Sequence, residues 1–178
     1  MSYYYKVKGV KMNQKNPLLE KAAICGLFCN ACSLYIGSTE DENRLKMIAN
    51  RFNESIEFVR CLGCRSERVG SHCKECHFKT CATDKGIDFC SQCETYPCEA
   101  LKEFQGKAPH RLELWDDLNA AKKMSIEDWT ERMTKKYECP ECKAINSSYD
   151  LVCRKCGHDP ASSFVAKNKA LIEQHLKK

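Results

Sequence analysis

Apolar residues recur at helical spacing in several stretches of this chain and lose that periodicity wherever cysteines crowd. Leu45, Ile48, Ala49 and Phe52 fall at i, i+3, i+4 and i+7, the stripe that an amphipathic helix turns toward a core. Thr39 and Glu42 precede it at capping-box spacing, so a helix is predicted over about residues 40–52. From Glu99 to Lys136 there is no cysteine, and Leu101 with Phe104, Leu112 with Trp115 and Leu118, and Ile126 with Trp129 and Met133 predict two or three short helices. Gly106 and Pro109 part the first from the second, and Ser125 followed by Asp128 opens the last. A final helix is expected from about Ser162, with Phe164, Val165, Leu171, Ile172 and Leu176 on its apolar side. Trp115 and Trp129 read as core residues that cover the cysteine-rich lobe.

Between these stripes the chain carries fifteen cysteines in 178 residues, twelve of them in six CxxC pairs. The last four, Cys139-Pro-Glu-Cys142 and Cys153-Arg-Lys-Cys156-Gly157, have the spacing of a zinc ribbon, expected as short β-hairpins over residues 137–158. The fold class that follows is α+β: a small metal-stabilised cysteine-rich domain with a helical extension and a C-terminal β zinc ribbon. Its expected boundaries are a flexible basic arm at 1–20, a metal-binding domain at 21–136, and a ribbon with its helix at 137–178. No apolar run is long enough to cross a membrane, and the N-terminus lacks a signal-peptide core. That predicts a cytoplasmic protein with no membrane partner. In a reducing compartment, clustered and odd-numbered cysteines are metal ligands rather than disulfides.

Eleven cysteines lie in the body: Cys25, Cys29, Cys32, Cys61, Cys64, Cys73, Cys76, Cys81, Cys90, Cys93 and Cys98. Two cysteines spaced CxxC can turn both sulfurs toward one tetrahedral centre. Two or three ions in the body are therefore expected, and three or four in the chain, with zinc favoured and an iron–sulfur cluster as the alternative. Which cysteines share an ion is not set by spacing, and His72 and His77 beside the Cys73/Cys76 pair are further candidate ligands. The Cys25-x3-Cys29-x2-Cys32 spacing coincides with that of radical S-adenosylmethionine enzymes, but too little chain follows it for their large partial barrel.

The formal charge of +5 counts every cysteine as neutral. Twelve thiolates around three divalent ions lower it by six, to about −1. The excess of basic over acidic residues persists at the two ends, and Lys135, Lys136, Lys143, Arg154, Lys155, Lys167 and Lys169, with Tyr137 or Tyr149 as stacking platforms, make nucleic acid a second candidate partner beside an unidentified protein. No HExxH, GxSxG, phosphate-loop or zinc-deaminase signature is present. Glu113, Asp116 and Asp117 read as a solvated helix face, and no catalytic residue is assigned.

Cys25-Gly-Leu-Phe-Cys29-Asn-Ala-Cys32, Cys61-Leu-Gly-Cys64, Cys76, Cys81-Ala, and Lys85-Gly-Ile-Asp-Phe-Cys90-Ser-Gln-Cys93-Glu-Thr-Tyr-Pro-Cys98 together resemble a prokaryotic cysteine-rich family, domain of unknown function 3795. The resemblance implies metal binding, with zinc as the expected metal, at Cys25, Cys29, Cys32, Cys61, Cys64, Cys76, Cys81, Cys90, Cys93 and Cys98, and it implies no established activity. Cys73 and the histidines fall outside its pattern. With Cys139, Cys142, Cys153 and Cys156, these ten are the candidate metal ligands of a zinc-binding interaction or regulatory module, with a nucleic-acid-binding ribbon and an iron–sulfur redox protein or enzyme as alternatives.

Overall fold

The computed structural model describes residues 16–177, apart from the side chain of His72; residues 1–15, and with them most of the expected basic arm, lie outside the described residues. Helices dominate: α1 Ser33–Thr39, α2 Glu42–Phe52, α3 Ile56–Val59, α4 His77–Lys85, α5 Glu99–Gln105, α6 Leu114–Lys123, α7 Ile126–Tyr137 and α8 Ser163–Leu176. Short 3-10 turns at Leu19–Lys21, Cys29–Ala31, Ser71–Cys73, Cys90–Gln92 and Pro109–Arg111 join them.

Local chemistry sets the helix ends. The Ser125 hydroxyl accepts the Asp128 amide at 3.1 Å and opens α7, and Ser162 does the same for Val165 at the start of α8. Helix α2 begins two residues later than the capping-box spacing predicts. Asp41, not Thr39, caps it by accepting the Arg44 amide, because Thr39 still belongs to α1 and bonds back to the Tyr35 carbonyl.

The expected α+β class is wrong. Among the described residues β structure is limited to two isolated bridges, Ala22↔Phe28 and Glu138↔Ile145, and residues 137–158 form no β ribbon. The chain between the last two CxxC pairs is held by side chains where a ribbon would use a ladder. Buried Asn146 donates to the carbonyls of Ala144 and Ala161 and accepts the Arg154 amide, and the Asp150 carboxylate accepts the Ser147 amide. These bonds satisfy backbone groups that strand pairing would otherwise have to satisfy.

One aromatic-rich core joins the helices to the cysteine lobe. Trp129 on α7 packs edge-on against Phe28 at 6.1 Å and lies 5.5 Å from Phe89, both on cysteine-bearing loops. Tyr137 stacks on Phe28 and meets Phe164 of α8. Leu101, Leu114, Leu118, Met133, Val165 and Ile172 complete the core, whereas Leu171 and Leu176 of the predicted apolar side are half exposed. Trp115 sits at the edge of this core, against Tyr96. Gly26 is where the first cysteine loop touches α6. Its φ is +87°, and a Cβ placed there would stand 2.6 Å from Leu118 Cγ, so the loop can approach only without a side chain.

Candidate metal centre

Cys139, Cys142, Cys153 and Cys156 converge at the C-terminal end of α7, their sulfurs all within 4.8 Å of one another. Cys139 Sγ lies 3.6 Å from Cys156 Sγ, and Cys142 Sγ lies 3.5 Å from Cys153 Sγ. These separations are far longer than a disulfide bond of about 2.05 Å. They match a tetrahedron of metal–sulfur bonds of about 2.3 Å, whose edges are about 3.8 Å.

Two loops of the same build deliver the four sulfurs. The Cys139 amide donates to the Ala144 carbonyl at 2.9 Å, and the Cys153 amide to the His158 carbonyl at 2.8 Å. The Lys143 amide closes back on the Cys139 carbonyl, and the Gly157 amide on that of Cys153. Each loop needs a left-handed residue directly after its second cysteine: Lys143 at φ +60° and Gly157 at φ +77°. Burial raises the Cys153 thiol, but the backbone amides of Cys156 and Lys155 and the neighbouring thiols of Cys142 and Cys156 outweigh it and hold that group down, whereas contacts with Cys142, Cys139 and Cys153 raise Cys156. A site that donates hydrogen bonds to a sulfur favours the thiolate, the form that binds metal.

The centre is fastened to the helices on its far side. Arg44 of α2 makes a paired contact with Asp150 at 3.0 and 3.2 Å, Arg154 bonds Glu40 and the Ile145 carbonyl, and the Ser33 and Ser147 hydroxyls meet at 2.7 Å. Residues of α1, of α2 and of the turn between them thus position the two loops.

In the body, the cysteines sit on short turns and helix ends. Cys29 opens one turn and Cys32 follows it, Cys90 opens another and Cys93 follows it, Cys81 lies within α4, and Cys98 stands at the N-cap of α5. The Cys64 amide donates to Cys29 Sγ at 3.4 Å, which joins the first and second cysteine segments. Burial pushes the Cys29 thiol well up, and Cys32, Cys64 and Cys61 add to the rise. Cys73, outside the sequence pattern, belongs to the same neighbourhood: burial, then Cys61, Cys64, Cys32 and Cys76, push it up to about 12. A second neighbourhood surrounds Cys90, pushed up to about 12 by burial and by Cys98, Cys81, Cys76 and Cys93. Cys25 is raised by burial and by Cys64, Cys90 and Cys76, which places it between the two groups. Among the described residues, the C-terminal four form the closed set of ligand atoms within 4.8 Å; the body cysteines form none.

The sequence model of a family described as "Protein of unknown function (DUF3795)" matches residues 21–103, the segment that holds all eleven body cysteines. The match is to that segment of the chain. The matched segment ends within α5, so α6–α8 and the C-terminal centre lie beyond it. No curated protein and no solved structure matches the chain.

Beside the metal centre lies a polar cluster that periodicity does not announce. Lys136 of α7 contacts Glu113 at 2.9 Å and Asp117 at 2.5 Å, all three nearly shut off from solvent. The solvated-face expectation therefore fails for Glu113 and Asp117. Although partial burial raises Glu113, hydrogen bonds from Lys136, Lys167 and Asn168 hold its carboxyl down at about 2. Burial dominates at Asp117 and pushes its carboxyl up despite Lys136. The signal was the pairing of Asp117 with a lysine nineteen residues on, a contact between helices that no single-helix pattern contains.

Proposed function

We propose that this chain is a non-catalytic zinc protein whose C-terminal centre holds one structural zinc ion through Cys139, Cys142, Cys153 and Cys156, and that it works as an interaction or regulatory module. The closed set of four sulfurs, within 4.8 Å of one another, carries this reading. Four thiolates fill a tetrahedral ion's coordination and leave no position for substrate or water. The ion would brace two loops whose connecting segment bonds to α1 through Ser33–Ser147 and to α2 through Arg44–Asp150. No described helix is long and apolar enough to cross a membrane.

The surroundings support a protein partner over nucleic acid. Lys135, Lys136, Lys143, Arg154, Lys167 and Lys169 each contact a carboxylate: Glu131, Glu113 with Asp117, Glu138, Glu40, Glu113 and Asp159, respectively. Tyr137 is buried, and Tyr149 is held against His110. Neither ring is presented for base stacking. The test is metal analysis of full-length protein purified without a metal-binding tag, beside Cys139→Ser. Wild type retaining one more zinc per chain than the variant supports the reading; equal zinc in both removes it.

A further inference from the structure

Away from the C-terminal centre, α4, the loop after it and the start of α5 enclose a cavity of about 240 Å3. Four cysteines line it: Cys81 from α4, Cys90 and Cys93 from the turn that follows, and Cys98 at the cap of α5. The remaining wall is almost wholly apolar, with Phe78, Ile87, Tyr96 and Leu101 around the sulfurs.

Size separates this cavity from the C-terminal centre. There the sulfurs have closed to single-ion spacing. Here no three of the four come within 4.8 Å of one another, and the cavity they help to line is several times the ~30 Å3 share of one water molecule. One ion bonded to four sulfurs at about 2.3 Å needs no such space. A cubane of iron and sulfide does, because its irons stand between the cysteine sulfurs and hold them apart. The ligand set is also right, since four cysteines are the usual ligands of a four-iron cluster. Lys85 donates from Nζ to Cys93 Sγ at 3.1 Å, and the Thr95 hydroxyl meets the same sulfur at 3.2 Å. Hydrogen bonds and a positive charge at a ligand sulfur stabilise an anionic cluster and tune its potential.

We propose that Cys81, Cys90, Cys93 and Cys98 bind one [4Fe–4S] cluster in this cavity, with Lys85 as its charged neighbour. The site goes beyond the zinc centre and stands or falls separately from it. All-cysteine ligation leaves no open iron, so the cluster would carry one electron or hold the lobe together and would not bind substrate.

The test uses the full-length chain, purified without oxygen and then reconstituted anaerobically with ferric and ferrous iron and sulfide. Iron, sulfide and zinc are counted per chain, with electron paramagnetic resonance after dithionite reduction. The expected product is brown, with about four irons and four sulfides. Cys93→Ser and Cys98→Ser should lose most of that iron, and Cys153→Ser should keep it while losing zinc. Lys85→Met, which removes no ligand, should keep the cluster and shift its midpoint potential to more negative values. A colourless chain that takes up zinc but no cluster after reconstitution overturns the proposal. So does a cluster that survives both Cys93→Ser and Cys98→Ser, or a potential that Lys85→Met leaves unmoved.

Discussion

Cys139 and Cys153 occupy equivalent positions in two copies of one loop: each donates its amide to the carbonyl five residues on, and each accepts at its own carbonyl the amide four residues on. The repetition presents two pairs of sulfurs face to face, and a tetrahedral ion needs that arrangement.

Replacing either residue leaves three sulfurs and an unfilled corner. Cys153→Ser should lose about one zinc per chain and at least about 3 kcal/mol of stability, a fall in midpoint of roughly 6–12 °C. Val152→Ser, at a half-exposed position between the loops, should change neither by a measurable amount. Thermal unfolding with metal analysis on the same samples checks both.

His110 should make the fold acid-sensitive. Burial, then Arg111 and His175, bring its pKa down from 6.5 to about 4. Arg111 donates to Nε2 at 3.1 Å while Nδ1 meets the Tyr149 hydroxyl at 2.5 Å, so a second ring proton would point at the guanidinium. The unfolded chain binds this proton more tightly than the folded one. The stabilisation is therefore complete above pH 6.5 and is lost as pH falls toward 4, by about 3 kcal/mol. His110→Gln should flatten that part of the profile in urea unfolding measured from pH 7 to 4.

Lys136 neutralises two carboxylates that are nearly out of water. Lys136→Met should destabilise by about 3–5 kcal/mol, since breaking a buried pair leaves charge uncompensated. Adding Asp117→Asn should restore part of the loss, because it removes the carboxylate that burial already disfavours. Urea midpoints of wild type, single and double variants measure both steps.

Gly26→Ala should cost about 2 kcal/mol or more. It places a side chain at φ +87° and drives a methyl into Leu118. Leu118→Ala in the same chain should relieve the clash but leave the backbone strain, a partial recovery readable in thermal midpoints.

Local signals in the sequence were sufficient for the caps Ser125 and Ser162, for the Trp129 and Met133 core positions, and for the C-terminal four-cysteine set, because each is written within one helix or within one pair of CxxC turns. The β ribbon was misread because spacing shows where ligands fall but not what holds the chain between them. At Asn146 a buried amide side chain does what a strand ladder was expected to do. The neighbourhoods of Cys25 and Cys73, and the pairing of Asp117 with Lys136, depend on contacts between distant segments. No periodicity along a single element carries them.

The most direct test of the C-terminal centre is X-ray absorption at the zinc edge on the full-length protein, with Cys153→Ser as the difference sample. One zinc per chain with four sulfurs at about 2.3 Å, lost in the variant, is the expected result. A signal unchanged in Cys153→Ser, or a shell in which nitrogen or oxygen replaces sulfur at that ion, would contradict a closed four-cysteine zinc site.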